Sequence, residues 1–221
     1  MARSVHRLQI ARRERVGALI AGLVCVLLAL APDVAATNWG GPRDSGKHCN
    51  EDPVISQCLN DPASRNISVI VETSDAQLGA NLRWSMRNYT QVTVLFVFEP
   101  DPGETAPRAK VRAAYYTGVW WSSTACEFAG SPTIYGGSES NHSRWCRPQV
   151  IRYNLNYKAS KYPGDTAQRD ISCHELGHVL GLRHANSTTG DPNWASSCMV
   201  LNSTTHTTTT SHDRSHVNSY Y

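Results

Sequence analysis

Hydrophobic and polar positions fall into two alternating regimes along the chain. The apolar run within Asn66 to Glu72 (NISVIVE) predicts a strand. Ser74, read as an N-cap, then opens a helix through about Tyr89, in which Leu78, Leu82, Met86 and Tyr89 recur at helical spacing. Gln91 to Phe98 (QVTVLFVF) predicts a second, largely buried strand, ended by the loop PDPGETAP, and Val111 to Thr117 predicts a third. Between Trp120 and Arg147 no period stands out; turns and aromatic residues surround Cys126 and Cys146. Gln149 to Tyr157 returns to a period of two, with Val150, Arg152, Asn154 and Asn156 against Ile151, Tyr153, Leu155 and Tyr157. A helix is predicted over about 165–180, then a Thr-rich loop, then a last short helix near Asp213–Tyr221.

The N-terminal segment follows a different logic. Arg3, Arg7, Arg12, Arg13 and Arg15 precede an apolar run from Val16 to Ala31 and the small residues Val34-Ala35-Ala36. Basic, apolar and small-residue parts in that order predict a secretory signal peptide over 1–36, cleaved after Ala36. The apolar run is shorter than the roughly 20 residues needed to span a bilayer. Residues 37–65, rich in Pro, Gly, Asn and Asp, predict an irregular segment at the start of the mature chain.

This changes the charge balance. The formal net charge of the 221 residues is +3, from 21 Lys and Arg against 18 Asp and Glu. The leader holds five of the bases and two of the acids, so the mature chain keeps 16 of each. General attraction to nucleic acid or to an anionic membrane is thereby excluded. With 40% hydrophobic and 18% charged residues, disorder is excluded as well. Six cysteines stay in the mature chain, Cys49, Cys58, Cys126, Cys146, Cys173 and Cys198, and an exported protein with an even set implies disulfides. Fifteen pairings are open; order and proximity favour Cys49–Cys58, Cys126–Cys146 and Cys173–Cys198. A thiolate zinc cluster is the other reading, but there is no C-x-x-C pair to start one.

The most informative stretch is His174-Glu175-Leu176-Gly177-His178-Val179-Leu180-Gly181-Leu182-Arg183-His184. A helix turns about 100° per residue, so His174 and His178 share one face, about 40° apart. Glu175 stands about 60° further round, beside whatever the imidazoles hold, while Leu176, Val179 and Leu180 form the opposite, core-facing side. Gly181 suits the left-handed backbone that stops a helix, and that turn brings His184 round as a third ligand. Three nitrogens leave one tetrahedral position open, the arrangement of a catalytic zinc. Glu175 is then placed to act as general base for a water attacking a peptide carbonyl.

These eleven residues resemble the HExxHxxGxxH signature of the metzincin zinc peptidases at all five fixed positions. Cys198-Met199-Val200 is similar to the family's Met-containing turn, and 211–221 resembles the closing helix of its matrixin-type members. The resemblance implies an α+β fold: a twisted mixed sheet, an active-site helix, a shallow cleft, and a small C-terminal subdomain with the Met-turn and final helix. It divides the mature catalytic domain, 37–221, into an N-terminal subdomain over 66–184 and a C-terminal one over 185–221. It also implies one zinc, protein or peptide substrates and a monomer free of the membrane after signal cleavage. Calcium is common in the family, although no calcium loop is readable here. Ala185 leaves the subfamily open, and Leu201, two residues after Met199, removes a tyrosine ligand of the astacin kind. Two functions compete: a secreted zinc endopeptidase, and a secreted zinc-binding or adhesive module without turnover. The first is favoured because a pure binding site has no use for Glu175, which is not a ligand.

Overall fold

The computed structural model describes residues 65–104, 107–126, 134–135, 145–146 and 148–221, with backbone alone at 125–126, 134–135, 145–146 and 220. The expected signal segment and nearly all of 37–65 lie outside the described residues, as do Cys49, Cys58 and the side chains of Cys126 and Cys146. Strand β1 (Asn66–Glu72) leads into helix α1 (Ala76–Val92), and β2 (Phe96–Phe98), β3 (Ala109–Ala114) and β4 (Ser122–Cys126) follow. After the small pair β5 (Ile134–Tyr135) and β6 (Trp145–Cys146) come β7 (Gln149–Asn154), a short helix α2 (Lys158–Lys161), the long helix α3 (Asp165–Val179) and the final α4 (Ser211–Tyr220). Five strands form one sheet in the order β2-β1-β3-β7-β4. The first four run parallel and β4 closes the edge antiparallel to β7. This is the α+β mixed sheet expected. Among the described residues no helix is long and apolar enough to cross a membrane.

The expected apolar stripe of α1 is buried: Leu78, Leu82, Met86 and Tyr89 are at most 2% exposed. They pack with Ile67 and Val69 of β1 and with Leu176 and Val179 of α3. Tyr89 also donates its hydroxyl to the carbonyl of Cys173 (2.9 Å), tying α1 to α3 inside the core. At the other end of that contact Asn81 donates to Gln168 (3.1 Å) and Asp165 (3.0 Å). A buried amide paired in this way fixes the register of two helices that apolar packing alone leaves free to slide.

Several expectations are corrected. The N-cap of α1 is Asp75, not Ser74: its carboxylate accepts from Leu78 N at 3.0 Å. The strand expected over 91–98 shrinks to Phe96–Phe98, because α1 continues through Val92. Thr93 ends the helix there, its backbone extended and its hydroxyl on the carbonyl of Tyr89 (2.7 Å). Nor is β2 largely buried; it lies at the sheet edge with Phe96 53% exposed. The third strand begins two residues earlier than expected and stops at Ala114. The strand over 149–157 stops at Asn154, whose side chain accepts from the backbone N–H of Tyr116 (3.1 Å) and of Asn156 (3.2 Å). An Asn that caps its own downstream backbone offers the chain a turn in place of the ladder. The final helix starts two residues early, on a reciprocal capping box between Thr210 and Asp213. Strand β4, from the stretch without a readable period, was not anticipated at all.

Candidate metal centre

Helix α3 sets out both histidines as its period requires, and the chain leaves it where glycine was expected to turn it: Gly181 has φ +96°. His174, His178 and His184 bring one ligand atom each within 4.8 Å of one another. Their ring centroids are 4.6, 5.0 and 4.9 Å apart. Nδ1 of His174 lies 2.8 Å from the carbonyl of Cys198, and Nδ1 of His178 lies 2.7 Å from that of Leu182. A carbonyl only accepts, so each Nδ1 carries the proton and each Nε2 is left with its lone pair. Those two Nε2 atoms are 3.0 Å apart. Two lone pairs at that distance repel unless a cation lies between them, so the residues fit a shared metal ion. Burial, reinforced by the neighbouring imidazoles, holds His178 well below the usual histidine range; burial and His174 lower His184 to about 4. Both are therefore neutral donors at pH 7, as imidazole ligation demands.

Glu175 is 3% exposed and borders the same cleft. Ser122 Oγ donates to its Oε1 in a very short contact, and Thr124 Oγ1 sits 2.5 Å from its Oε2. The sequence reading missed both hydroxyls. They come from β4, 51 or more residues upstream, and a Ser-x-Thr in a stretch without periodicity carries no signal by itself. The cleft has a volume of about 420 Å³. Apolar residues, Trp121 and Leu201 among them, line it together with Ser122, Thr124, Glu175 and the three histidines.

The segment beneath the histidines is fixed from three sides. Cys173 and Cys198 form a disulfide, as expected from order and proximity. Ala185 N donates to Met199 O at 2.8 Å, beside a parallel bridge between Ala185 and Val200. Ser197 hands its hydroxyl to Asp213 of α4 (2.6 Å) and receives Met199 N (3.0 Å). His212 and His216 are partly buried and meet edge to face at 4.6 Å. Asp191 takes the hydroxyl of Thr210 (2.5 Å), so the start of α4 is bound into the same support. Asp170, one turn before His174, accepts from Ser203 (2.6 Å) and His206 N (2.7 Å); burial raises its carboxyl against those bonds.

Met199 is fully buried under this helix, and it explains a glycine that the sequence left unexplained. A Cβ built on Gly177 meets Met199 Sδ at 2.2 Å and Tyr89 Oη at 2.9 Å. Gly177→Ala is therefore expected to cost about 1–3 kcal/mol through overpacking. A denaturation midpoint that does not fall would show that Met199 yields freely.

A model of the dual-action HEIGH metallo-peptidase family matches residues 54–191 of this chain. Its five-residue motif is met here as HELGH, with Leu176 in the third place. No curated protein matches the chain in sequence. Among solved structures, one of myroilysin has 14% identity and a TM-score of 0.45, covering 76% of this chain and 97% of that one. A crystal structure of myroilysin has 12% identity and a TM-score of 0.36, covering 69% of this chain and 56% of that one.

Proposed function

The chain belongs to the dual-action HEIGH metallo-peptidase family and is thus a zinc-dependent peptidase acting on protein or peptide; from that premise we propose that it is a secreted endopeptidase of metzincin type. In this proposal His174, His178 and His184 hold the zinc, Glu175 is the general base, and Met199 with Gly181 shapes the support beneath. The observation that carries it is the pair of Nε2 lone pairs 3.0 Å apart, each oriented by a carbonyl on its Nδ1. Three imidazoles suit zinc well. When bound, zinc supplies Lewis acidity, polarising a peptide carbonyl and easing the ionisation of water.

The chain's own groups do the rest. Carbonyls of Cys198 and Leu182 keep two imidazoles in the required tautomer. Glu175, on the cleft wall, takes a proton from the attacking water and returns it to the departing amine nitrogen. Endopeptidase action is proposed on the metzincin resemblance of residues 174–184. Secretion is supported by the basic, apolar and small-residue order of 1–36, and a matrixin-like relation by Cys198-Met199-Val200 and the final helix.

The mature protein, purified, is expected to carry one zinc per chain and to hydrolyse casein and an internally quenched peptide. A chelator should abolish hydrolysis and added zinc restore it. Absence of stoichiometric zinc, or hydrolysis indifferent to the chelator, would overturn the assignment. Zinc without turnover would leave the binding-module reading.

A further inference from the structure

We propose that Ser122 and Thr124 are positioning residues that aim the Glu175 carboxylate at its proton, an inference that rests on Glu175 being the base. Strand β4 lies at the sheet edge, paired only with β7 among the described strands, with Ser122 opposite Tyr153 and Thr124 opposite Ile151. A period of two sends residues 122 and 124 to the same face and Ser123 to the other. That face looks onto α3, and the two hydroxyls reach different oxygens of one carboxylate.

This two-point grip has a geometric consequence. A single donor leaves the carboxylate free to rotate about the bond it hangs from. Donors on both oxygens fix its plane as well as its position. Hydrogen bonds to an ionised acceptor are about twice as strong as neutral ones, so the grip is firm. It does not block the base: a carboxylate offers about four lone-pair sites, and the two hydroxyls occupy one on each oxygen. Thr124 also approaches the backbone carbonyl of Glu175 at 3.1 Å, but one hydroxyl proton serves one acceptor, and the carboxylate is closer at 2.5 Å. Ser122, Thr124 and Glu175 all border the cleft, so the fixed carboxylate faces the space a substrate enters. Proton transfer in catalysis needs heavy atoms at hydrogen-bond separation, and a misplacement of about 1 Å can cost 10²-fold.

The test is kinetic, on the zinc-loaded protein with a quenched peptide. Ser122→Ala and Thr124→Val are each expected to lower kcat about tenfold, and the double variant about 10²-fold, with KM within twofold and one zinc per chain retained. Thr124→Ser, which restores the hydroxyl, should recover most of the loss. In a Glu175→Gln background the same substitutions should cost nothing further, because residues acting through Glu175 lose their effect with it. Thermal unfolding of each variant separates misfolding from mispositioning, and Ser122→Ala, at a partly exposed site, serves if Thr124→Val does not fold. A double variant with unchanged kcat, or an equal fall in the Glu175→Gln background, overturns the inference. If Glu175→Gln itself keeps full activity, the base assignment fails instead, and the two failures are told apart.

Discussion

Glu175→Gln protein is expected to bind zinc as the parent does and to hydrolyse peptide about 10²–10⁴-fold more slowly, the range lost with a general base. The substitution suits the question because it changes little else. Gln keeps the volume of a side chain only 3% exposed, and Ser122 and Thr124, which donate to the carboxylate, can hydrogen-bond its amide instead. A buried charge is removed, not created, so folding should not suffer. The Nδ1 atoms of His174 and His178 are held by the carbonyls of Cys198 and Leu182, which the substitution leaves in place. The fall should appear in kcat, with KM little changed. Full activity in a zinc-loaded Glu175→Gln protein would assign the proton to another group.

The second large effect is on stability. Cys173 and Cys198 are 25 residues apart in sequence and 1% and 0% exposed. Loop closure of that length contributes roughly 3–4 kcal/mol by restricting the unfolded chain, a sizeable part of the about 5–15 kcal/mol that holds an ordinary domain. Cys173→Ala with Cys198→Ala should lower the unfolding free energy by that amount in guanidinium. The bridge has a second consequence. Cys173 precedes His174, and Cys198 supplies the carbonyl that orients the same imidazole. Loss of the disulfide should therefore weaken zinc retention as well as the fold, measurable by competition with a chelator. A drop under about 1 kcal/mol would mean that the surrounding hydrogen bonds, notably Ser197 with Asp213, already hold the turn.

Legibility in the sequence followed the range of the interaction. The four apolar residues of α1 and the two histidines of α3 were readable because helix geometry places them by intervals of three or four, whatever the rest of the chain does. The errors arose where local preference met a distant partner. Gln91 and Val92 carry a strand-like apolar run, yet α1 keeps them, since its packing against α3 and the Thr93 cap decide where the helix stops. Asn154 ended a strand that alternation alone would have carried to Tyr157, because its side chain serves the backbone of Tyr116 and Asn156.

The same division holds at the metal centre. By itself the sequence determined the ligand triad candidates, the neighbouring carboxylate and the glycine at which the chain turns toward His184, all within eleven consecutive residues on or just after one helix. Only the tertiary structure decided what stands around them: the hydroxyls of Ser122 and Thr124, the carbonyl of Cys198, and Met199 pressed against Gly177. Those partners lie 22 to 53 residues from the groups they touch. Contacts at such separation leave no period in the chain. They exist only because sheet order sets β4 beside α3 and a disulfide draws the later segment beneath it.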